Sequence, residues 1–279
     1  MERKLELINE MGERLNLLDN RTLLLEISDF GLSRNTDFST IGTKFLFTKS
    51  EFGQVAITGT MYFKGKNPYE DYYRFINGYS NQELTLVYST IKEFKLKCTM
   101  SEVKKKENTK DYRQIEVTFL PLGLWYESVG IIHVPIEDQE RGKQYAYEYA
   151  YKYSRSDTNS LTIETETTIP SPTRLTIYGP CTNPIWTQYS NGVVIGTGKL
   201  NNVSLTSGQK LVIDSITPLN SIEVQNLNGK MLEDVYRYSD FSTERFFYLR
   251  KGTNTITVNE SGGTPLTFIL EGEICYESV

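Results

Sequence analysis

Apolar residues recur at every second position along most of this chain, a period that puts side chains alternately on the two faces of β-strands. Leu5 and Leu7, then Leu15 and Leu17, alternate around a polar turn at Asn9–Gly12 and predict two short strands. Leu23, Leu24, Leu25 and Ile27 extend the signal to Gly31, and the polar stretch Ser33 to Thr43 reads as a loop. Phe45 and Phe47 start another strand, and a turn near Phe52–Gly53 leads into Val55–Phe63. One segment breaks the period. From Asn67 to Gly78 the spacing predicts a short amphipathic helix, with Tyr69, Tyr72, Tyr73 and Ile76 on its apolar face. Asn67 caps it, Pro68 fits its first position, Glu70 completes a capping-box pair and Gly78 supplies a left-handed exit.

Beyond the helix, Leu84, Leu86 and Tyr88 form a short strand, followed by Phe94, Leu96, Cys98 and Met100 on one face. Ile115, Val117 and Phe119 return, so that Lys95 or Lys97 is expected to face Glu116 across the pair. Between them Ser101 to Arg113 is a charged excursion, suited to contact between subunits. Pro121, Gly123 and Trp125–Tyr126 end the first part, and Val134 to Lys143 looks like a domain boundary. The expected division is therefore 1–135 and 136–279, in keeping with a length of 279 residues.

Five tyrosines at every second position, Tyr145 to Tyr153, open the second part. They read as a strand flanking a sandwich core, with an aromatic contact surface for a subunit or sugar as the alternative. Short strands then recur at Leu161–Ile163, Leu175–Tyr178, Val193–Ile195, Leu211–Ile213, Ile222–Val224, Phe246–Leu249, Ile256–Val258 and Leu266–Leu270. Asn228–Gly229 is a hairpin signal. The pattern predicts an antiparallel sandwich or jelly roll, and a mainly β protein overall.

Composition changes this picture little. A net charge of −5 and a pI near 5.2 argue against a nucleic-acid binder. Lys104, Lys105 and Lys106 read as a solvated hairpin tip. The 19 Tyr and 13 Phe offset a modest hydrophobic share of 38%, because each aromatic ring buries a large area. Cys98, Cys181 and Cys275 are odd in number and form no CxxC pair, so buried free thiols are expected. No apolar run reaches the ~18 residues of a membrane span, and the N-terminus lacks the apolar core of a signal peptide. Synthesis and folding in a cytosol follow.

Candidate chemistry is sparse. His133 is the single histidine, without a nucleophile motif nearby, and a zinc site has too few ligands. Glu164 and Glu166 share a strand face and allow a paired-carboxylate glycosidase to be imagined. Gly196-Thr197-Gly198-Lys199 lacks the upstream glycine and the Ser or Thr of a phosphate loop, and Ser101-Glu102-Val103-Lys104 matches SxxK in a polar excursion. These read as coincidences, so no catalytic, cofactor-binding or metal residue is expected.

Several stretches together resemble the distal tail protein family of long, non-contractile-tailed phages, often called Dit. They are Leu7-Ile8-Asn9 and Gly12-Glu13 followed by Leu23–Gly31, then the order Val55–Phe63, helix, Leu84–Tyr88 and the hairpin to Phe119. Phe246–Leu249 with Gly252-Thr253-Asn254-Thr255-Ile256, and the closing Leu266–Tyr276, are similar to the end of that family's second domain. The resemblance implies an N-terminal ring-forming β-sheet domain with one helix and a C-terminal galectin-like β-sandwich. It also implies a structural virion protein, not an enzyme, needing no cofactor. Such a protein forms a hexameric ring at the tail tip, between the tail tube protein and the hub or receptor-binding and baseplate proteins. It is assembled in the bacterial host cytoplasm without nucleic acid or membrane insertion. Ring closure would bury sheet edges, and deleting Lys104–Lys110 is expected to weaken docking without unfolding the monomer. The alternative function is a carbohydrate-binding sandwich contacting host glycans through an exposed aromatic such as Trp186.

Overall fold

A computed structural model describes residues 3–28, 33–108, 111–134, 152–154, 159–262 and 266–279. The chain divides into two units, one of residues 1–127 with 276–279, the other of residues 128–275. The junction expected within 134–143 and the stripe from Tyr145 lie almost wholly outside the described residues.

In the first unit the strands are β1 (Lys4–Ile8), β2 (Arg14–Asn16), β3 (Thr22–Leu25), β4 (Ser33–Ile41), β5 (Lys44–Gly53) and β6 (Ile57–Lys64). Helix α1 (Pro68–Tyr79) follows, then β7 (Glu83–Ser89), β8 (Glu93–Asn108) and β9 (Tyr112–Pro121), and β10 (Trp125–His133) leads out of the unit. The ladder runs β2-β1-β7-β8-β9-β6-β3, antiparallel throughout. It then closes on itself. Leu17 donates its N–H to Leu5 (2.8 Å) and accepts from the N–H of Leu24 (2.8 Å), while Leu18 bridges Leu23. Closure satisfies backbone groups that an open sheet would leave at its edges. Leu5, Leu7, Leu17, Leu24, Met61, Phe63, Leu86, Ile115 and Val117 fill the interior. Closure leaves the outer edges of β4 and β5, which pair only with each other among the described residues, as the edges of this unit that a ring could bury.

Helix α1 forms where the sequence places it, but it presents a different face. Tyr72, Phe75 and Tyr79 are buried, whereas Tyr69 and Tyr73 are exposed. Phe75 and Tyr72 pack on Phe63, with ring centroids 5.6 and 6.0 Å away, and that contact sets the helix rotation. The expected capping box is absent: the Asn67 side chain makes no cap bond and instead donates to Glu70 (3.0 Å). The helix also runs through Gly78 and ends at an extended Ser80, whose N–H reaches Ile76 O. Asn9 holds this end in place. Its Nδ2 donates to Gly78 O (3.0 Å) and Glu13 (2.8 Å), while its Oδ1 accepts the N–H groups of Met11 and Glu13.

The charged excursion is a strand. β8 continues through Lys105 in register with β9, placing Lys104 opposite Glu116 and Lys105 opposite Ile115. The partner of Glu116 is therefore Lys104 in register and Lys106 in ion pairing (3.3 Å), not Lys95 or Lys97. The error arose from placing the turn too early in the hairpin. Deleting Lys104–Lys110 would remove the end of β8 that pairs with Glu116, Ile115 and Arg113 of β9, so the deletion is expected to disturb the barrel as well as any docking.

The second unit holds β11 (Lys152–Ser154), β12 (Ser160–Thr165), β13 (Ser171–Tyr178), β14 (Cys181–Thr182), β15 (Ile185–Ser190), β16 (Val193–Lys199) and β17 (Ser204–Leu205). It continues with β18 (Gln209–Asp214), β19 (Ser221–Asn226), β20 (Met231–Asp234), β21 (Tyr248–Leu249), β22 (Gly252–Asn259) and β23 (Phe268–Tyr276). One antiparallel sheet runs β23-β13-β18-β19-β20, and a second runs β12-β22-β15-β16. Each buries alternate residues: Leu175, Ile177, Leu211, Ile213, Phe268 and Leu270 from the first, Leu161, Ile163, Trp186, Ile256 and Val258 from the second. This is the predicted antiparallel sandwich. Asn228–Gly229 turns β19 into β20, as expected. The β15–β16 hairpin turns in two residues at Asn191–Gly192, where both have positive φ (50° and 82°).

Candidate assembly surface

The stretch read as a loop is a hairpin. β4 and β5 pair over the whole length from Ser33↔Gly53 to Ile41↔Lys44, yet nearly every residue on both faces is exposed. Phe38, Ile41, Phe45, Leu46, Phe47 and Phe52 are all exposed, Phe45 at 77%. Phe38 and Phe47 meet edge to face (6.1 Å), which leaves most of both rings in water. At the foot, Arg34 pairs with Glu277 and lies 5.1 Å over the Phe52 ring. Phe38, Phe45 and Phe47 lie on one face of the hairpin, and Ile41 and Leu46 on the other.

At that foot lies an apolar groove of about 380 Å³, lined by Val55, Ile57, Leu96, Pro121, Leu122 and Trp125 among others. Its rim is fixed: Gln54 Nε2 donates to Pro121 O (2.6 Å), and Leu122 N–H to Lys97 O (2.8 Å). A second aromatic surface covers the outside of α1. There Tyr69 and Tyr73 stack (6.4 Å, 14°), and the Arg113 guanidinium lies over Tyr72 (4.3 Å) and Tyr69 (5.1 Å). The strand expected from Phe45 is β5, but its partner β4 lies in the stretch that reads as a loop. The hairpin's one available signal was Phe38, Phe45, Phe47 and Phe52 within a polar stretch.

The residues singled out for chemistry are not brought together. Glu164 on β12 and Glu166 beyond its end are exposed, and Glu164 accepts a long bond from Thr253 (3.4 Å). Gly196–Lys199 and Ser101–Lys104 both lie within strands. Trp186 is fully buried, its Nε1 donating to Arg245 O (2.8 Å), so it cannot stack on a sugar. The open polar groove of the second unit, about 750 Å³, is lined by Arg174, Lys210, Asp214, Glu223 and Glu271. All three cysteines are free, and burial pushes the thiols of Cys98 and Cys181 up to about 12 and Cys275 to about 11. They are unreactive packing groups.

His133 is fully buried against Phe268 (4.7 Å), and neither ring nitrogen has a hydrogen-bond partner among the described residues. Burial holds its pKa below the ordinary 6.5, outweighing the opposite pull of nearby Asn159. Below pH 6.5 the unfolded chain binds a proton that the folded one resists, so stability falls as pH drops through that value. Urea midpoints at pH 8 and pH 5.5 should therefore differ more for the wild type than for His133→Phe. An equal difference in both proteins would show that other groups set the acid limit.

Residues 4–120 match the family described as distal tail protein, N-terminal domain. Among solved structures, the fold is similar to a chain of the phage P2 baseplate in its activated conformation with calcium. The two share 14% identity with a TM-score of 0.65, over 100% of both chains. It is also similar to the Dit protein (gp 19.1) of phage SPP1, described as a paradigm of the hub adsorption apparatus in phages infecting Gram-positive hosts. Here identity is 11% and the TM-score 0.62, over 96% of this chain and 98% of that one. No curated protein sequence matches. Residues 4–120 thus match the N-terminal domain of distal tail proteins, and the likenesses to solved structures carry the shared fold across the whole length of the chain.

Proposed function

We propose that six copies of this chain close into a ring at the distal end of a phage tail, joining the tail tube to the hub and baseplate proteins. The observation that carries this reading is the β4–β5 hairpin, an arm whose apolar side chains have no use in the monomer. The barrel closes through Leu17 without it, so the arm is free to serve assembly. A heterologous contact repeated around an axis gives a closed ring. The solved relatives support the setting, since one is a baseplate chain and the other a hub protein.

Light scattering across a concentration series tests the proposal. The intact protein is expected at six times its 32.1 kDa mass. A variant with residues 35–51 replaced by a short Gly-Ser turn should remain folded and monomeric. A deletion variant that assembles like the wild type, or a wild type monomeric at tens of micromolar, would overturn the reading. The carbohydrate-binding alternative loses its Trp186 anchor, which is buried, while its other candidates, Tyr145 to Tyr153, have side chains outside those described.

A further inference from the structure

We infer that the groove at the foot of the β4–β5 hairpin receives the tip of the same hairpin from a second copy of this chain. The inference rests on the ring proposed above and names the surface that each arm would meet. Both halves of the contact occur on every chain. The tip carries Ile41, Phe45, Leu46 and Phe47, and the groove offers Val55, Ile57, Leu96, Pro121, Leu122 and Trp125.

One chain cannot satisfy both halves. Ser33 and Gly53 stand beside the groove, while Ile41 lies eight residues further along β4 and Lys44 nine residues back along β5. At ~3.3 Å per residue the tip is about 30 Å from the foot. Folding it back would break the ladder between the two strands, so the occupant must come from another molecule. Because donor and acceptor surfaces differ, the contact is head to tail, the type that closes rings.

The dimensions agree. A groove of about 380 Å³ holds one or two aromatic side chains, and its fixed rim makes it preformed in the free chain. At ~200 Å² per ring, the exposed parts of Phe38, Phe45 and Phe47 offer roughly 400 Å² of apolar surface. That is about half of the ~800 Å² per partner of a standard interface. Flanking residues of the hairpin would supply the rest.

Two variants test the inference. Phe45→Asp/Phe47→Asp spoils the tip and leaves the groove intact. Leu122→Asp spoils the groove at a half-exposed position and leaves the tip intact. Each alone should lose the ring mass and run as a monomer with an unchanged thermal midpoint. Mixed in equal amounts they should form a 1:1 dimer, since one sound tip meets one sound groove, with a change in fluorescence from Trp125. A Leu122→Asp protein that still forms rings, while the tip variant does not, would place the arm elsewhere and overturn the groove without harming the ring. A mixture that stays monomeric would also overturn it. Ring formation by both variants would remove the ring reading of the arm as well.

Discussion

Gly198→Ala is expected to unfold the second unit. Gly198 lies directly across from Trp186 in the β15–β16 pair, and the indole lies flat over its Cα. A methyl group there would sit 2.1 Å from Cε2 and 2.3 Å from both Cζ2 and Nε1, inside the ring's own van der Waals envelope. The obstacle is a fully buried ring, held by its bond to Arg245 O, and not the end of a flexible side chain. Moving the indole forfeits that bond and the packing of the small sheet. The loss should approach that of removing the ring, about 3–5 kcal/mol. Against a total of ~5–15 kcal/mol this is most of the margin for one domain. In a Trp125→Phe background Trp186 alone reports, so urea unfolding followed by fluorescence reads this unit. A midpoint within experimental error of the parent protein would show that the sheet yields, and the packing argument would fail.

Asp214→Ala is the next largest expected loss. Asp214 is buried at the end of β18, directly opposite Arg174 on β13. Its Oδ2 accepts from Arg174 Nε (3.1 Å) and Nη2 (2.7 Å), while Oδ1 accepts the N–H groups of Ile216 (2.8 Å) and Thr217 (3.4 Å). Truncation strands two backbone donors and leaves a guanidinium with only Glu271, at 3.8 Å. A broken buried pair costs about 3–5 kcal/mol. Arg174 is partly exposed and solvent screens its charge, so the lower end, about 3 kcal/mol, is expected here. Asp214→Asn keeps an acceptor for the turn and should lose about half as much. If the two substitutions unfold at the same urea concentration, the turn hydrogen bonds contribute nothing separable.

The strand content was legible because each strand has one buried face. Leu161 and Ile163, like Ile256 and Val258, alternate with polar neighbours, and that alternation is the imprint of burial on a period of two. The hairpin β4–β5 carries no such imprint. With both faces in water, nothing sorted its apolar from its polar positions, and Ser33 to Thr43 looked like a loop. Its strand character comes from the cross-strand hydrogen-bond ladder, which leaves no mark on composition. The candidate site was therefore the part of the first unit hardest to see. The charged run of β8 misled for a related reason: Val103 is its only half-buried side chain between Ser101 and Lys106.

The helix shows where local pattern stops. Tyr69, Tyr72, Tyr73, Phe75, Ile76 and Tyr79 offer two overlapping faces a fraction of a turn apart, both apolar. Pro68 in the first turn, with Glu70 and Asp71 beside it, marks the start of the helix through local backbone chemistry alone. Which face turns inward is decided by Phe63 on β6, a residue that pattern cannot place in space. By itself, then, the sequence determined the mainly antiparallel β class, helix α1 and the likeness of residues 4–120 to the distal tail protein N-terminal domain, since these depend on neighbours within a few residues or on recurring motifs. Only the tertiary structure decided the closure of the barrel through Leu17, the burial of Trp186 and His133, and the exposure of the hairpin. Each of those depends on which distant residues come together, and a one-dimensional period carries no information about that.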